Sequence, residues 1–174
     1  FLLIWAKKIV PLDRSIRSGD WAAGKRSPMR DVQSIHQQTL GLLGAGRIGM
    51  ATARKAKALS MEVLVYDPYI DSGRLKEEGL TPATMQEVLA EGDYVSVHVP
   101  LTPETHHMIS KEQFETMKAS AFLMNVSRGP IVDESALIEA LQNGVIAGAG
   151  IDVFEHEPLP ADSPLNAMDN VILT

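Results

Sequence analysis

Residues 42–51 read LLGAGRIGMA and set Gly44, Gly46 and Gly49 in a G-x-G-x-x-G spacing. An apolar run precedes them, a helix-compatible run follows, and Asp67 stands 18 residues past Gly49 at the end of the next apolar run. A strand that turns on glycine into a helix brings bare backbone amides and the positive end of the helix to one point, which suits a pyrophosphate. In that reading Gly44 allows the tight turn, Gly46 lets backbone approach the phosphates, and Gly49 lets helix pack on strand; Ile48 belongs to the same turn. Asp67 lies close to the expected spacing of roughly 20 residues and would accept hydrogen bonds from ribose hydroxyls while repelling a 2′-phosphate, favouring NAD over NADP. Its other reading is a turn-forming Asp before Pro68. Arg47 either adds charge beside the phosphates or is a solvated helix residue.

Three further groups of polar residues follow apolar runs: His98-Val99-Pro100, then Asn125-Val126-Ser127-Arg128-Gly129, then Asp152. An Arg followed by Gly-Pro at a strand end is not a core residue. It is a surface charge or an anion clamp, and its planar fork suits a carboxylate.

The elements that must position these residues alternate along the chain. Strands are expected at 39–44, 62–67, 94–99, 121–126 and 146–153, with another beginning at 171. Helices are expected at 48–59, 82–92, 110–118 and 133–144, with Thr84 opposite Glu87, Ser110 and Asp133 as caps and Gly144 just past the last. Continuous apolar strands separated by helices mean a parallel sheet covered on both faces, a doubly wound α/β domain. The spacing of Leu2, Leu3, Trp5, Ile9, Leu12 and Ile16 predicts one amphipathic helix over 1–18, whose apolar stripe calls for a partner surface. A loop with Gly19, Gly24 and Pro28 runs on to about 38.

The chain has 174 residues, 45% of them apolar, enough for one domain with a core. No run approaches the roughly 20 apolar residues of a membrane span. Zero cysteines exclude disulfides and thiolate chemistry and fit a reducing cytoplasm. The net charge of −6 argues against nucleic acid as a main partner, although residues 1–60 hold 11 Lys/Arg against 3 Asp/Glu. The five histidines show no metal-ligand spacing, so no metal is expected.

The stretches GAGRIG, YDPY, VHVPLTPET, NVSRGPIVDE and AGIDVFEHEP, in this order and spacing, resemble the D-isomer-specific 2-hydroxyacid dehydrogenases across nearly the whole chain. The resemblance implies a Rossmann-type NAD-binding domain over 19–174, inserted in a substrate domain built from both ends of a longer protein. It implies that Arg128 binds the substrate carboxylate and carbonyl oxygen, and that Glu157 pairs with a catalytic His. Asp152 would hold the nicotinamide carboxamide, Val99, Pro100 and Val126 would line the cofactor groove, and Thr105 would reach its polar part. The family's His follows a strand resembled by NVILT, so substrate domain and His are expected outside this chain, which by itself would be inactive. The helix over 1–18 would be an interdomain and dimer element of a homodimer. Gln37-Gln38 stand where the family has Gly-Lys, and Ser60 where Gly is common. The other use of such a fold is an NAD-sensing co-repressor, a reading the basic first third favours.

Overall fold

The computed structural model describes residues 1–19 and 32–174. The basic stretch 24–30, with Gly24 and Pro28, lies outside the described residues. Short runs of Val, Leu and Ile form strands because β-branched and apolar side chains fill both faces of a pleated surface. They are β1 (Thr39–Leu43), β2 (Glu62–Tyr66), β3 (Thr81–Pro82), β4 (Tyr94–Val97), β5 (Phe122–Asn125), β6 (Gly148–Ile151) and β7 (Val171–Leu173). All pair in parallel, in the order β3-β2-β1-β4-β5-β6-β7. The order reverses between β1 and β4, and ligands of open α/β sheets bind outside the carboxyl ends of strands at such a switch point.

The helices are α1 (Leu2–Ala6), α2 (Ile9–Arg17), α3 (Arg47–Ala58), α4 (Ser72–Glu77), α5 (Met85–Glu91), α6 (Lys111–Thr116) and α7 (Glu134–Gln142). Each sheet face has its own core. One gathers Val95, Val97, Phe114, Leu123, Leu137 and Ile146, the other Leu40, Leu42, Ala53, Val63, Leu75 and Phe122. A β-carbon on Gly41 would come within 2.7 Å of Val88 Cγ1, so its absence lets α5 lie against β1.

The capping residues act as their spacing predicts. Thr84 and Glu87 close a reciprocal capping box on α5, Gln113 Oε1 accepts from the Ser110 amide at 3.1 Å at the start of α6, and Asp133 accepts from the Ala136 amide. Gly144 follows α7 at φ +66°. Two expectations need correction. The helix expected over 82–92 starts later, because Thr81 and Pro82 pair with β2 and the cap at Thr84 fixes the first turn at Met85.

The single helix expected over 1–18 is two. The chain breaks at Lys8, which sits in the left-handed region at φ 50°. Pro11 supplies the reason: it has no amide hydrogen to give to the carbonyl of Lys7, and its ring would clash with that carbonyl in a continuous helix. Trp5, half-buried, packs on the chain's own sheet. Its ring stacks on Phe122 at 4.6 Å between centroids and 18° between planes, and Lys8 Nζ covers the ring at 3.6 Å from its centroid. Gly148 and Gly150 make this docking possible, since β-carbons there would meet Trp5 at 2.5 Å and Phe1 at 2.6 Å. Ile9 and Ile16 stay exposed, at 51% and 52%.

The departures at Gln37 and Ser60 have a geometric counterpart. Both residues hold φ of 61°, the region glycine enters freely, and the Gln37 amide donates to the Ser60 carbonyl at 2.8 Å.

Candidate functional site: the carboxyl edge of the sheet

β1 ends at Leu43, and Gly44 turns the chain at φ +97°, with its amide donating to the Tyr66 carbonyl at 2.8 Å. A β-carbon on Gly44 would lie 2.9 Å from His98 carbonyl carbon and from Val99 nitrogen, so the turn rests directly on the end of β4. A β-carbon on Gly49 would lie 2.2 Å from the Gly44 carbonyl oxygen, which explains why helix and strand need glycine there. Gly46 is different: it is exposed, and nothing lies within 4 Å of the position its β-carbon would take. It caps α3 without a side-chain hydrogen bond, so this amino end faces open space with its amides and dipole. Arg47 and Ile48 are exposed in the first turn, Ile48 at 69%.

Asp67 follows β2 and does two jobs at once. Its Oδ2 accepts from the Ala45 amide at 2.8 Å, inside the glycine turn, and its Oδ1 accepts from the Tyr69 amide at 2.9 Å. The turn-forming role is therefore present, and the carboxylate also ties the ends of β1 and β2 together.

Beyond β4, Val99 is buried and Pro100 exposed. Thr105 Oγ1 donates to the Pro100 carbonyl at 2.6 Å and accepts from the Thr102 amide at 2.8 Å, so its hydroxyl shapes this loop. His98 Nε2 lies 3.0 Å from Ser96 Oγ, and burial pushes the imidazole below its ordinary pKa, holding it neutral. It is a partly buried histidine, hydrogen-bonded to the strand that precedes it.

After β5, buried Asn125 donates through Nδ2 to the Arg128 carbonyl at 2.9 Å and accepts through Oδ1 from the Ser127 amide at 3.3 Å. Ser127 Oγ donates to the Val99 carbonyl at 2.5 Å, joining this loop to the one before it. Val126 is half-buried. The exposed Arg128 guanidinium donates to the Ser127 carbonyl at 2.7 Å. His98, Val99, Pro100, Leu101, Ser127 and Arg128 line an open cavity here. A β-carbon on Gly129 would lie 1.8 Å from the Phe154 carbonyl oxygen, so the segment after β6 lies against the loop bearing Arg128. Glu157 Oε1 in that segment accepts from the Phe154 amide at 3.1 Å, and Asp152 Oδ1 accepts from Thr174 Oγ1 at 2.6 Å.

Gly44, Gly46, Arg47, Ile48, Gly49, Asp67, Val99, Pro100, Thr105, Val126, Arg128, Asp152 and Glu157 thus all occupy the carboxyl edge of one sheet, linked loop to loop. Sequence reading missed Asn125 and Ser127 as organisers of the Arg128 loop, although both stand in the stretch that carries it. It also missed a cluster assembled from distant segments: His107, Asp133 and Glu155 bring one candidate ligand atom each to within 4.8 Å of one another. These atoms are already engaged within the protein. Glu155 Oε1 accepts from the Glu134 amide and faces His107 Nε2, while Asp133 accepts from Ala136 and Ser110. They also sit at the positive end of α7, where a cation is disfavoured.

Basic residues early in the chain meet acids of the same chain: Arg14 with Asp169, Arg17 with Asp13, Arg54 with Glu78 and Lys57 with Glu62. Among the described residues, no helix is long and apolar enough to cross a membrane.

Residues 1–174 match the family model described as D-isomer specific 2-hydroxyacid dehydrogenase, NAD binding domain. A glyoxylate reductase of Korarchaeum cryptofilum is 46% identical over 172 residues, which cover 99% of this chain and 52% of that protein. A glyoxylate/hydroxypyruvate reductase B of Yersinia pestis is 42% identical, covering 98% of this chain and 52% of the relative. Among solved structures, D-lactate dehydrogenase with NAD+ from Lactobacillus jensenii superposes with a TM-score of 0.86 at 38% identity, over 99% of this chain and 55% of that one. The apo D-mandelate dehydrogenase of Rhodotorula graminis gives 0.90 at 32% identity, over 99% and 52%. The chain spans about half the length of the relatives it matches. With its glycine turn, Asp67 and Arg128 along one sheet edge, the chain belongs to the D-isomer-specific 2-hydroxyacid dehydrogenases, as their NAD-binding domain.

Proposed function

We propose that this domain serves an NAD-dependent oxidoreductase that interconverts a D-2-hydroxy acid and a 2-keto acid. The observation that carries the reading is the open amino end of α3 at Gly46, beside Asp67 and on the same sheet edge as the cavity bordered by Arg128. NAD fits this edge: Gly46 leaves room for a pyrophosphate on uncapped amides, and Asp67 offers acceptors to ribose hydroxyls. When bound, the nicotinamide supplies or takes up a hydride. Val99, Pro100, Thr105, Val126 and Asp152 would border the cofactor, with Asp152 toward the carboxamide.

Arg128 would orient the substrate by its carboxylate and polarise the carbonyl oxygen, work for which a guanidinium fork is suited. Glu157 would orient a histidine supplied by the rest of a longer protein and raise its pKa, so that the ring gives and takes the substrate oxygen's proton. The substrate domain would lie in that remainder, with residues 1–18 at the interdomain and dimer surface of a homodimer. The absence of cysteine fits a cytoplasmic setting.

The test is reduction of a 2-keto acid panel by the full-length protein with NADH. Turnover that is lost in Arg128→Ala supports the reading; no NADH oxidation with any keto acid overturns it.

A further inference from the structure

His107 touches two loops that matter to each other. Its backbone amide donates to the Pro130 carbonyl at 2.8 Å, two residues past Arg128. Its Nε2 lies 2.6 Å from Glu155 Oε1, two residues before Glu157. The backbone holds φ at 50°, a conformation non-glycine residues enter rarely, and this directs the residue between the two loops.

Glu155 is itself held from a third side. Its Oε1 accepts from the Glu134 amide at 3.1 Å, and its own amide donates to Glu134 Oε2 at 3.2 Å, a reciprocal pair at the start of α7. Asp133 completes the surroundings, with Ser110 Oγ donating to its Oδ2 at 2.9 Å. The residues come from 107–110, 133–134 and 155, so no sequence spacing links them. The side chains are partly shielded: His107 is 37% and Glu155 23% exposed. A charge-assisted hydrogen bond in such surroundings is stronger than one on an open surface.

We propose that His107 is a positioning residue: through the clasp to Glu155 it holds the segment bearing Glu157 in fixed register against the loop bearing Arg128. Gly129 also lies against Phe154, a steric contact that sets closeness but supplies no directional bond. The clasp and the paired Glu134 contacts add the direction. The consequence for catalysis rests on the roles given above to Arg128 and Glu157; the clasp itself does not.

Two variants separate the clasp from the backbone. His107→Asn tolerates the left-handed conformation but is too short to reach Glu155, whereas His107→Gln keeps a reaching donor. Gln37 already holds φ 61° in this chain, so glutamine is compatible with that backbone. Hydrogen exchange on this domain should show the amides of Glu134 and Glu155 opening about tenfold faster in His107→Asn, with the strand amides unchanged and His107→Gln close to wild type. Exchange at Glu134 and Glu155 that matches wild type in His107→Asn overturns the clasp.

In the full-length protein, His107→Asn should lower kcat for keto-acid reduction about tenfold with the KM for NADH unchanged, and His107→Gln should recover most of it. Faster exchange with kcat unchanged overturns the positioning role. If wild type turns over no keto acid, the proposed function falls, and the exchange experiment alone decides whether His107 holds the two loops.

Discussion

The carboxylate of Asp67 reaches back into the glycine turn, where its Oδ2 accepts a hydrogen bond from the Ala45 amide at 2.8 Å. The residue proposed to meet a ribose is thus also an internal brace of the glycine turn. Asp67→Ala should cost about 1 kcal/mol of stability, because the buried Ala45 amide is left without its acceptor. It should also weaken NAD binding and narrow the gap between NAD and NADP. Calorimetric titration with both cofactors checks this, and equal affinities in the wild-type domain would sink the assignment.

Gly46 and Gly49 should respond oppositely to alanine. A β-carbon at Gly46 meets nothing within 4 Å, and its φ of −64° suits any residue, so Gly46→Ala should fold with an unchanged Tm and bind NAD less tightly. At Gly49 the β-carbon would press on the Gly44 carbonyl oxygen at 2.2 Å, so Gly49→Ala should be destabilised by about 1–3 kcal/mol even without cofactor. Thermal melts with and without NAD distinguish the two cases.

Trp5 anchors the amino-terminal helices. Trp5→Ala removes the stacking on Phe122 and leaves a gap over Gly148, which should cost on the order of 3 kcal/mol in urea unfolding. A change within a few tenths of a kcal/mol would show that α1 is only loosely attached.

Acid should weaken the start of α7 through Asp133. Its hydrogen bond from the Ala136 amide, together with Ser110 and nearby His107, holds its carboxyl below the ordinary aspartate range. A depressed folded-state pKa contributes stability above the unfolded-state value of about 4 that is lost as pH falls through the folded-state value. Asp133→Asn keeps a capping oxygen but loses the charge, so its unfolding free energy should fall less steeply below about pH 4 than that of wild type. Parallel acid-limb slopes for the two proteins would contradict this.

The exposed pair Ile9 and Ile16 marks the face of α2 proposed to meet a second copy. Light scattering should give a dimeric mass for the full-length protein, shifted toward monomer in Ile9→Asp/Ile16→Asp. A monomeric wild type would refute the dimer.

Alternation of apolar runs with capped helices was legible without coordinates because each signal is local. Thr84 and Glu87 stand three residues apart across one turn, and a G-x-G-x-x-G after an apolar strand has few backbone paths open to it. The two-part amino-terminal helix is also written locally, in Pro11, whose effect the apolar periodicity of 1–18 masks. What the chain order does not contain is which loops meet. Strand order β1-β4-β5-β6 brings residues 44, 99, 127 and 154 side by side, although they are far apart in sequence. Only that packing makes Ser127 a bridge to Val99, turns Gly148 into a seat for Trp5, and sets His107 against Glu155. Residue types and local spacing determined which elements form and which groups can do chemistry. Tertiary structure decided which of those groups share a neighbourhood, because contacts across a parallel sheet depend on crossover topology and not on separation along the chain.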